Sequence, residues 1–326
     1  MPKISVVMPV YNGEEFLADS IDSILNQTMD DYEFIIVLEA GSNPESCRIL
    51  EDYAARCPKI RIIENSERLG ISESLNVGIR AANGEYIARM DGDDLSGPRR
   101  FEIQSAFMDR YPEIGACGIV HTVINAPHWI VDYSTDPEIV KSACMFAVPM
   151  RHPTAMMRRD VLMNGCMYNR ELPGAEDYDL FYRLSLATKM TNLREPSLFS
   201  YRVTGNNASS ANRERDNQIV HRIMDEICSD TFGLKLSDLQ FEGLAFATVW
   251  HSGDEEHYCA VLNSISQLFC EILVRNHSAG IYKDYALMES FRHKWRKIYT
   301  HLSNANNKHV PNDITEVYQH SMFYQR

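Results

Sequence analysis

The chain has 326 residues, which is long for one compact domain and short for three. Hydrophobic residues make up 44% and charged residues 24%, a balance that supports a sizeable core and argues against a disordered chain. The formal net charge of -13 disfavours a general nucleic-acid binder, because an acidic surface repels phosphate backbones.

The first part of the chain alternates strand and helix patterns. Apolar runs of strand length occupy 4–8, 34–38, 60–63 and 86–90, and apolar residues recur at helical spacing over 16–25, 49–54 and 72–82. Ser72 is expected to cap the third of these helices and Gly84 to end it. Uniformly apolar strands that alternate with helices indicate a parallel sheet covered on both faces.

Three loops follow strands in this pattern, at Tyr11, Glu39 and Asp91. Because ligands bind at the carboxyl ends of parallel strands, we expect these loops to converge on one crevice. Later in the chain, mixed strands are predicted over 114–123 and 153–157, and a helix over 179–187.

A polar, turn-rich segment, 203–217, contains a predicted domain boundary. It divides the chain into a first domain, 1–213, and a helical region, 214–326. In the latter, Phe291 and Trp295 belong to an apolar stripe with a basic flank. This pattern favours packing in a helical bundle or at a homodimer interface, with peripheral contact to an anionic membrane as the alternative. The three tryptophans, Trp129, Trp250 and Trp295, are expected to pack in cores rather than to stack on ligands.

The sequence Asp91-Gly92-Asp93-Asp94 follows the fourth predicted strand directly. Three acids in four residues repel one another, and a bound divalent cation offsets that repulsion. Hard carboxylate oxygens suit Mg²⁺ or Mn²⁺, and Gly92 allows a ligand to approach the backbone closely. The alternative is a solvated acidic turn.

A second acidic segment, 174–179, places Asp177 at the start of a predicted helix. Backbone N–H groups and the helix dipole favour ionised acids there, so Asp177 is either a general base held at a crevice or a simple helix cap. The chain has neither G-x-G-x-x-G after its first strand nor a Walker lysine loop, which disfavours dinucleotide and P-loop binding.

Several motifs occur together in a recognisable order. They are VVMPVYNG at 6–13, LGISESLNVGI at 69–79, ANGEYIARMDGDD at 82–94, HPTAM at 152–156, EDYD at 176–179 and YR at 201–202. Together they resemble the family 2 glycosyltransferases of the bacterial surface-polysaccharide type. The resemblance implies an α/β GT-A fold, with a Rossmann-like, mostly parallel central sheet and helices on both faces, and the chain adds an α-helical C-terminal extension.

The resemblance also implies transfer of a sugar from a nucleotide-diphospho-sugar, a UDP-sugar, to an acceptor hydroxyl, with inversion at the anomeric carbon. It assigns Asp177 as the base and Asp93 as the ligand of a Mn²⁺ or Mg²⁺ ion that bridges the diphosphate. The remaining donor-binding positions that it implies are Pro9, Val10 and Tyr11 around the nucleoside, Glu39 at the nucleobase, Arg68 near the nucleotide, Asp91 at the ribose, and Gly92 beside it.

The implied acceptor is a saccharide or a lipid-linked saccharide. The eight cysteines form no C-x-x-C pair and Lys3 leads straight into a strand pattern, so we expect reduced thiols and a cytoplasmic protein. A lipid-linked acceptor would bring it to the inner face of the membrane, through the helix around Trp295.

Two departures from the family pattern motivate an alternative function. Glu39-Ala40 stands where the family usually has two aspartates, and Thr204 stands where it often has a histidine. A catalytically silent nucleotide-sugar-binding scaffold would tolerate both changes. A nucleotidyltransferase is disfavoured, because the segment from Pro9 to Gly13 lacks a glycine-rich, basic phosphate loop.

Overall fold

The computed structural model describes residues 1–203, 213–244 and 255–306. The chain divides into two units, Met1–Cys144 with Val148–Ala211, and Met145–Ala147 with Asn212–Arg326. The division near residue 212 lies close to the predicted boundary after residue 213. That boundary itself, together with Thr204 and Trp250, falls outside or at the margin of the described residues.

The first unit is built from strands and helices that alternate along the chain. Its strands are β1 Ile4–Val10, β2 Tyr32–Leu38, β3 Ile60–Glu64, β4 Tyr86–Arg89, β5 Leu95–Ser96, β6 Ile114–Ile119, β7 His121–Val123, β8 Ala126–Val131, β9 Met156–Arg158, β10 Lys189–Leu193 and β11 Phe199–Tyr201. Its helices are α1 Glu14–Leu25, α2 Pro44–Arg56, α3 Ile71–Ala81, α4 Arg100–Arg110, α5 Pro137–Ala143, α6 Arg159–Met163 and α7 Glu176–Ala187, with short 3-10 helices at His152–Thr154 and Pro196–Leu198.

Within the described residues, the central sheet has seven strands in the order β10-β6-β9-β4-β1-β2-β3. All neighbours are parallel except β9, which runs antiparallel to both β4 and β6. Successive residues of β1 enter different cores: Val6 packs in the cluster of Leu17, and Val7 packs in the cluster of Leu75. Because side chains alternate across a strand, apolar residues in both registers require helices on both faces. The predicted fold class is confirmed.

Three local predictions were wrong. The predicted strand over 153–157 is a short 3-10 helix at His152–Thr154 followed by β9, which begins at Met156. The stretch 114–123 is not one strand, because it divides at Val120 into β6 of the central sheet and β7 of a smaller sheet ordered β5-β11-β7-β8. Ser72 does not cap α3, since the helix begins at Ile71 after Gly70, whose φ is 80°. Glycine adopts this left-handed conformation without the steric cost that a Cβ would add. A tertiary contact of the Gly70 amide, described below, takes the place of the side-chain cap.

The second unit is helical in its described part, as predicted. Its helices are α8 Arg213–Phe232, α9 Asp238–Leu244, α10 Glu255–Ala279 and α11 Asp284–Asn306. The rings of Phe269 and Phe291 stack at a centroid distance of 4.0 Å, and Trp295 is 5% exposed. The apolar stripe of α11 is therefore used in packing at these positions. Across the described residues, every helix is too short or too polar to cross a bilayer.

The connection from α3 to β4 yields a stability prediction at Gly84. A Cβ on this residue would lie 2.5 Å from the Ser5 amide nitrogen and 2.7 Å from the Ile4 carbonyl carbon, both backbone atoms of β1. We expect Gly84→Ala to destabilise the protein by about 1–3 kcal/mol, because β1 cannot move without disturbing the central sheet. The measurement is urea denaturation followed by far-UV circular dichroism.

Gly92→Ala is the matched control for that measurement. Its added Cβ would make ordinary contact with Leu17 at 3.5 Å. An unfolding midpoint for Gly84→Ala equal to that of the control would contradict the proposed clash.

Candidate active site

The carboxyl ends of β1, β2 and β4 meet at one edge of the central sheet. The Glu39 amide donates to the Val10 carbonyl at 2.9 Å, and the Met90 amide donates to the Val7 carbonyl at 3.1 Å. The segment that begins at Asp91 therefore leaves β4 beside the loops that follow β1 and β2. This edge is where a doubly wound sheet holds its ligands.

Three carboxylates of this segment form a cluster, which we call the acid trio: Asp91, Asp93 and Asp94. One oxygen from each lies within 4.8 Å of the others. Asp94 is buried, and its Oδ1 accepts a hydrogen bond from the Arg202 amide at 2.8 Å, while its Oδ2 is buried with no hydrogen-bond partner among the described residues. Arg89, which is 3% exposed, pairs with Asp91.

The electrostatics of the acid trio fit a bound cation. Burial, and then repulsion by Asp91, raises the pKa of Asp93 to about 6. The same two causes raise the pKa of Asp94 well above its ordinary value. Clustered, desolvated carboxylates repel one another, and a bound cation would offset that repulsion and contact the unpartnered oxygen. Their hard oxygen atoms suit Mg²⁺ or Mn²⁺. The residues present therefore fit a divalent metal ion.

The second acidic motif lies at the N-terminus of α7. Asp177 accepts a hydrogen bond from the Tyr178 amide at 2.7 Å, and Glu176 accepts one from the Gly174 amide at 2.8 Å. Burial raises the pKa of Asp177, while the Tyr178 amide and the guanidinium groups of Arg89 and Arg151 lower it in part. Burial, followed by the charge of Asp177, raises the pKa of Glu176 as well. A carboxylate with a raised pKa is a stronger proton acceptor than an ordinary aspartate.

One cavity of about 300 Å³ brings both acidic motifs together. Its wall includes Asp91 and Asp93 from one motif and Glu176 and Asp177 from the other. The two motifs are more than eighty residues apart in the chain, and only the fold places them on one cavity. A carboxylate that can take a proton thus shares a small chamber with carboxylates that can hold a metal.

The cavity wall also contains side chains that the sequence analysis did not assign to the site. They are Arg89, Tyr133, Met150, Arg151, His152 and Tyr201. His152, inside the HPTAM motif, is buried, and its Nε2 lies 2.5 Å from the Tyr168 hydroxyl oxygen. A signal for Arg89 was available, since an arginine inside an apolar strand requires a buried partner charge. Tyr133 lies in no motif and carries no such signal.

The residues assigned to the nucleoside lie outside the wall of this cavity. Pro9 and Val10 end β1, and Tyr11 follows with 42% of its surface exposed. The guanidinium of Arg68 lies 4.0 Å from the centroid of the Tyr11 ring. This contact brings together two residues from different loops that were predicted to bind the donor and that lie 57 positions apart in the sequence (68 − 11). Gly92 is partly exposed between the two wall residues Asp91 and Asp93.

Glu39 is 5% exposed and its carboxylate is fully engaged by the protein. Oε1 accepts hydrogen bonds from the side chains of Asn65 at 2.5 Å and Ser74 at 2.9 Å and from the Leu69 amide at 3.2 Å, and Oε2 accepts one from the Gly70 amide at 2.7 Å. Burial alone would raise the pKa of Glu39, but these hydrogen bonds lower it below its usual value. Glu39 is thus an ionised anchor for the turn that precedes α3.

Comparison with known protein families identifies relatives of the first unit. Residues 5–165 match the model of "Glycosyl transferase family 2". An uncharacterized glycosyltransferase of Haemophilus influenzae is 32% identical over 69% of this chain and 73% of its own length. The O-antigen biosynthesis glycosyltransferase WbnJ of Escherichia coli is 32% identical over 56% of this chain and 71% of its own length.

Solved structures share the fold. The structure of S. aureus TarS 1–349 in complex with UDP-GlcNAc superimposes with a TM-score of 0.59 at 16% sequence identity, covering 99% of this chain and 93% of that one. At this identity the likeness extends to the fold alone.

Proposed function

Because this chain belongs to glycosyltransferase family 2, we propose that it is an inverting, divalent-metal-dependent glycosyltransferase. The donor would be a nucleotide-diphospho-sugar, and the bound UDP-GlcNAc of the TarS structure favours a UDP-sugar. The observation that carries the proposal is the cavity whose wall includes Asp91 and Asp93 of the acid trio together with Asp177.

On the donor side, Asp93 with its neighbours in the acid trio would hold Mn²⁺ or Mg²⁺ at the diphosphate. The ion would supply positive charge against the charge that grows on the departing nucleoside diphosphate. Asp91 and Gly92 would border the ribose. Pro9, Val10, Tyr11 and Arg68 would line the nucleoside, and the aromatic ring of Tyr11 offers a flat face for a base.

Glu39 would influence the binding of the nucleobase indirectly, through the turn that it anchors. Its two oxygens accept four hydrogen bonds from residues between Asn65 and Ser74, which include the backbone next to Arg68. We propose that Glu39 fixes the position of that backbone, and with it the donor side of the site. The longer side chain of glutamate, compared with the aspartate of the family pattern, suits this anchoring role.

On the acceptor side, Asp177 would take the proton of the attacking hydroxyl as that oxygen bonds to the anomeric carbon. The nucleoside diphosphate would leave from the opposite face, so a single displacement inverts the configuration. Proton removal by a positioned base contributes roughly 10²–10⁴-fold to such a step. Arg89 lowers the pKa of both Asp93 and Asp177. Its guanidinium would therefore stabilise the ionised carboxylates on the donor side and on the acceptor side.

The acceptor would be a saccharide or a lipid-linked saccharide of a surface polysaccharide, as the O-antigen function of WbnJ suggests. We propose a cytoplasmic protein that meets a lipid-linked acceptor at the inner face of the membrane. Because Phe291 and Trp295 are buried, such contact would use the basic flank of α11, including the exposed Arg296.

A catalytically silent nucleotide-sugar-binding protein is the second candidate, favoured by Ala40. One experiment separates the two: UDP-sugars and GDP-sugars are incubated with the protein and Mn²⁺ in the absence of acceptor. We expect donor binding to raise the melting temperature by mass action, and slow release of the nucleoside diphosphate to follow. If the donor raises the melting temperature but no nucleoside diphosphate is released, either without acceptor or with candidate saccharides added, the result would favour the catalytically silent protein. Neither stabilisation nor release would refute both functions.

A further inference from the structure

Trp129 is not a core residue, contrary to the sequence-based expectation. It lies on β8 with 65% of its surface exposed, and its neighbour Ile130 is 50% exposed. Neighbouring residues of a strand point to opposite faces, so the exposed indole of Trp129 forms a surface of its own. The question is what this surface binds.

The strand that carries Trp129 is distorted and lies at the end of its sheet order. Its pairing with β7 runs from Thr122 with Ile130 to Val123 with Ala126, so β8 advances four residues while β7 advances one. Such a bulge turns side chains away from the regular ladder, and bulges are frequent next to active sites. Pro127 lies within the bulge, and a proline on an edge strand discourages pairing with a strand of a second chain.

The other end of β8 leads into the cavity. Val131 pairs with His121 of β7, and two residues further on, Tyr133 forms part of the cavity wall. The rings of His121 and Tyr133 stack at a centroid distance of 6.0 Å, which fixes the segment that leaves the strand. The exposed surface is therefore continuous in the chain with the wall of the proposed active site.

Tyr133 lines the same cavity as Asp177, the proposed base. The ring of His121, on which Tyr133 stacks, also meets the ring of Tyr201, a second residue of the cavity wall, in an edge arrangement at a centroid distance of 5.9 Å. An acceptor hydroxyl must reach Asp177, so the reacting sugar of an acceptor lies in the chamber whose wall includes Tyr133.

We propose that Trp129 is a distal subsite for a saccharide acceptor, whose pyranose ring stacks on the exposed indole while its terminal sugar occupies the cavity beside Tyr133. This inference rests on the proposed function. The apolar C–H face of a sugar ring matches a flat aromatic surface, and the sugar hydroxyl groups stay in water. An acceptor that occupies the cavity and also reaches Trp129 contains at least two sugar rings, so the proposed subsite selects acceptors longer than a monosaccharide.

The test is a glycan microarray that carries monosaccharides, disaccharides and longer linear oligosaccharides, probed with the full chain in the presence of UDP and Mn²⁺. We expect the wild-type protein to bind a subset of the longer saccharides. Trp129→Ala should weaken that binding by about tenfold or more, and Trp129→Phe should retain most of it, because phenylalanine keeps a ring for stacking. Leu186→Ala, which removes a 55% exposed apolar side chain at the other end of α7, is the matched control and should bind as the wild type does.

Binding to none of the saccharides, or equal binding by Trp129→Ala and the wild type, would overturn the distal subsite. If Trp129→Ala changes the oligomeric state measured by sedimentation velocity, the surface around Trp129 binds a second copy of the chain. That result would also overturn the distal subsite. Release of nucleoside diphosphate without acceptor serves as the separate test of the proposed function, and we expect Trp129→Ala to leave it unchanged. If the wild type releases no nucleoside diphosphate but Trp129→Ala still loses saccharide binding, the proposed transferase function is refuted and the saccharide subsite at Trp129 is supported.

Discussion

Asp177→Asn is expected to abolish sugar transfer while donor binding survives. The amide has the shape of the carboxylate but cannot take a proton, so kcat should fall by about 10²–10⁴-fold. The measurement is steady-state transfer to a saccharide acceptor, together with the donor-induced rise in melting temperature. Asp179→Asn is the matched control, because Asp179 lies on the same helix but pairs with Arg183 at 2.5 Å. Full activity in Asp177→Asn would end its assignment as the base.

The pH dependence of kcat provides an independent measure of the same group. Burial raises the pKa of Asp177, and the base is active only when deprotonated. In the wild type, kcat should therefore fall as the pH decreases, and it should do so at a higher pH than the ordinary aspartate pKa of 3.8 implies. This fall in kcat at acidic pH should be absent from the residual activity of Asp177→Asn. If kcat of the variant falls at the same pH as that of the wild type, a group other than Asp177 is the base.

Removal of divalent metal is expected to produce the second large effect. EDTA should abolish turnover, and added Mn²⁺ or Mg²⁺ should restore it, because the clustered carboxylates of the acid trio would repel a diphosphate without a bound cation. Asp93→Asn should lower turnover at a fixed Mn²⁺ concentration by about 100-fold or more, since loss of a direct ligand costs at least as much as loss of a supporting contact.

Asp52→Asn, which changes an acid on α2 paired with Arg48, is the matched control for the metal series. Its response to Mn²⁺ should match that of the wild type. Turnover that is indifferent to EDTA would remove Asp93 as a metal ligand.

The sequence predicted the central sheet well because its signals are local. Strands β1 to β4 are mostly apolar and are separated by helices with a periodic apolar face, so their existence and sequence along the chain follow from short windows of sequence. The acid trio and Asp177 could be singled out for the same reason, since each belongs to a compact motif. Their presence on one cavity could not be read from either motif, because the edge of a parallel sheet accounts for the acid trio after β4, whereas Asp177 lies at the start of α7, which follows α6 and not a strand.

Other features depend on contacts between distant residues, and short windows do not contain them. The stretch around Val120 looks like one apolar strand, but the chain changes sheets there. Trp129 was expected in a core, but it lies on β8, the end strand of the smaller sheet, where neighbouring residues on both faces are exposed. The environment of Glu39 is set by donors from 65–74, so its role as an anchor was not visible in its own loop.

The reversed direction of β9 determines which loop reaches the ligand edge. A parallel strand presents the residues that follow it, but β9 presents the residues that precede it: the Arg89 amide donates to the Ala155 carbonyl at 3.0 Å. Arg151 and His152 thereby enter the cavity wall, while residues after Arg158 emerge at the far side of the sheet. Natural or engineered insertions directly ahead of Met156 would therefore remodel the chamber, whereas insertions in the turn directly after Arg158, where the Arg159 amide donates to the Glu85 carbonyl, would lie at the opposite edge of the sheet.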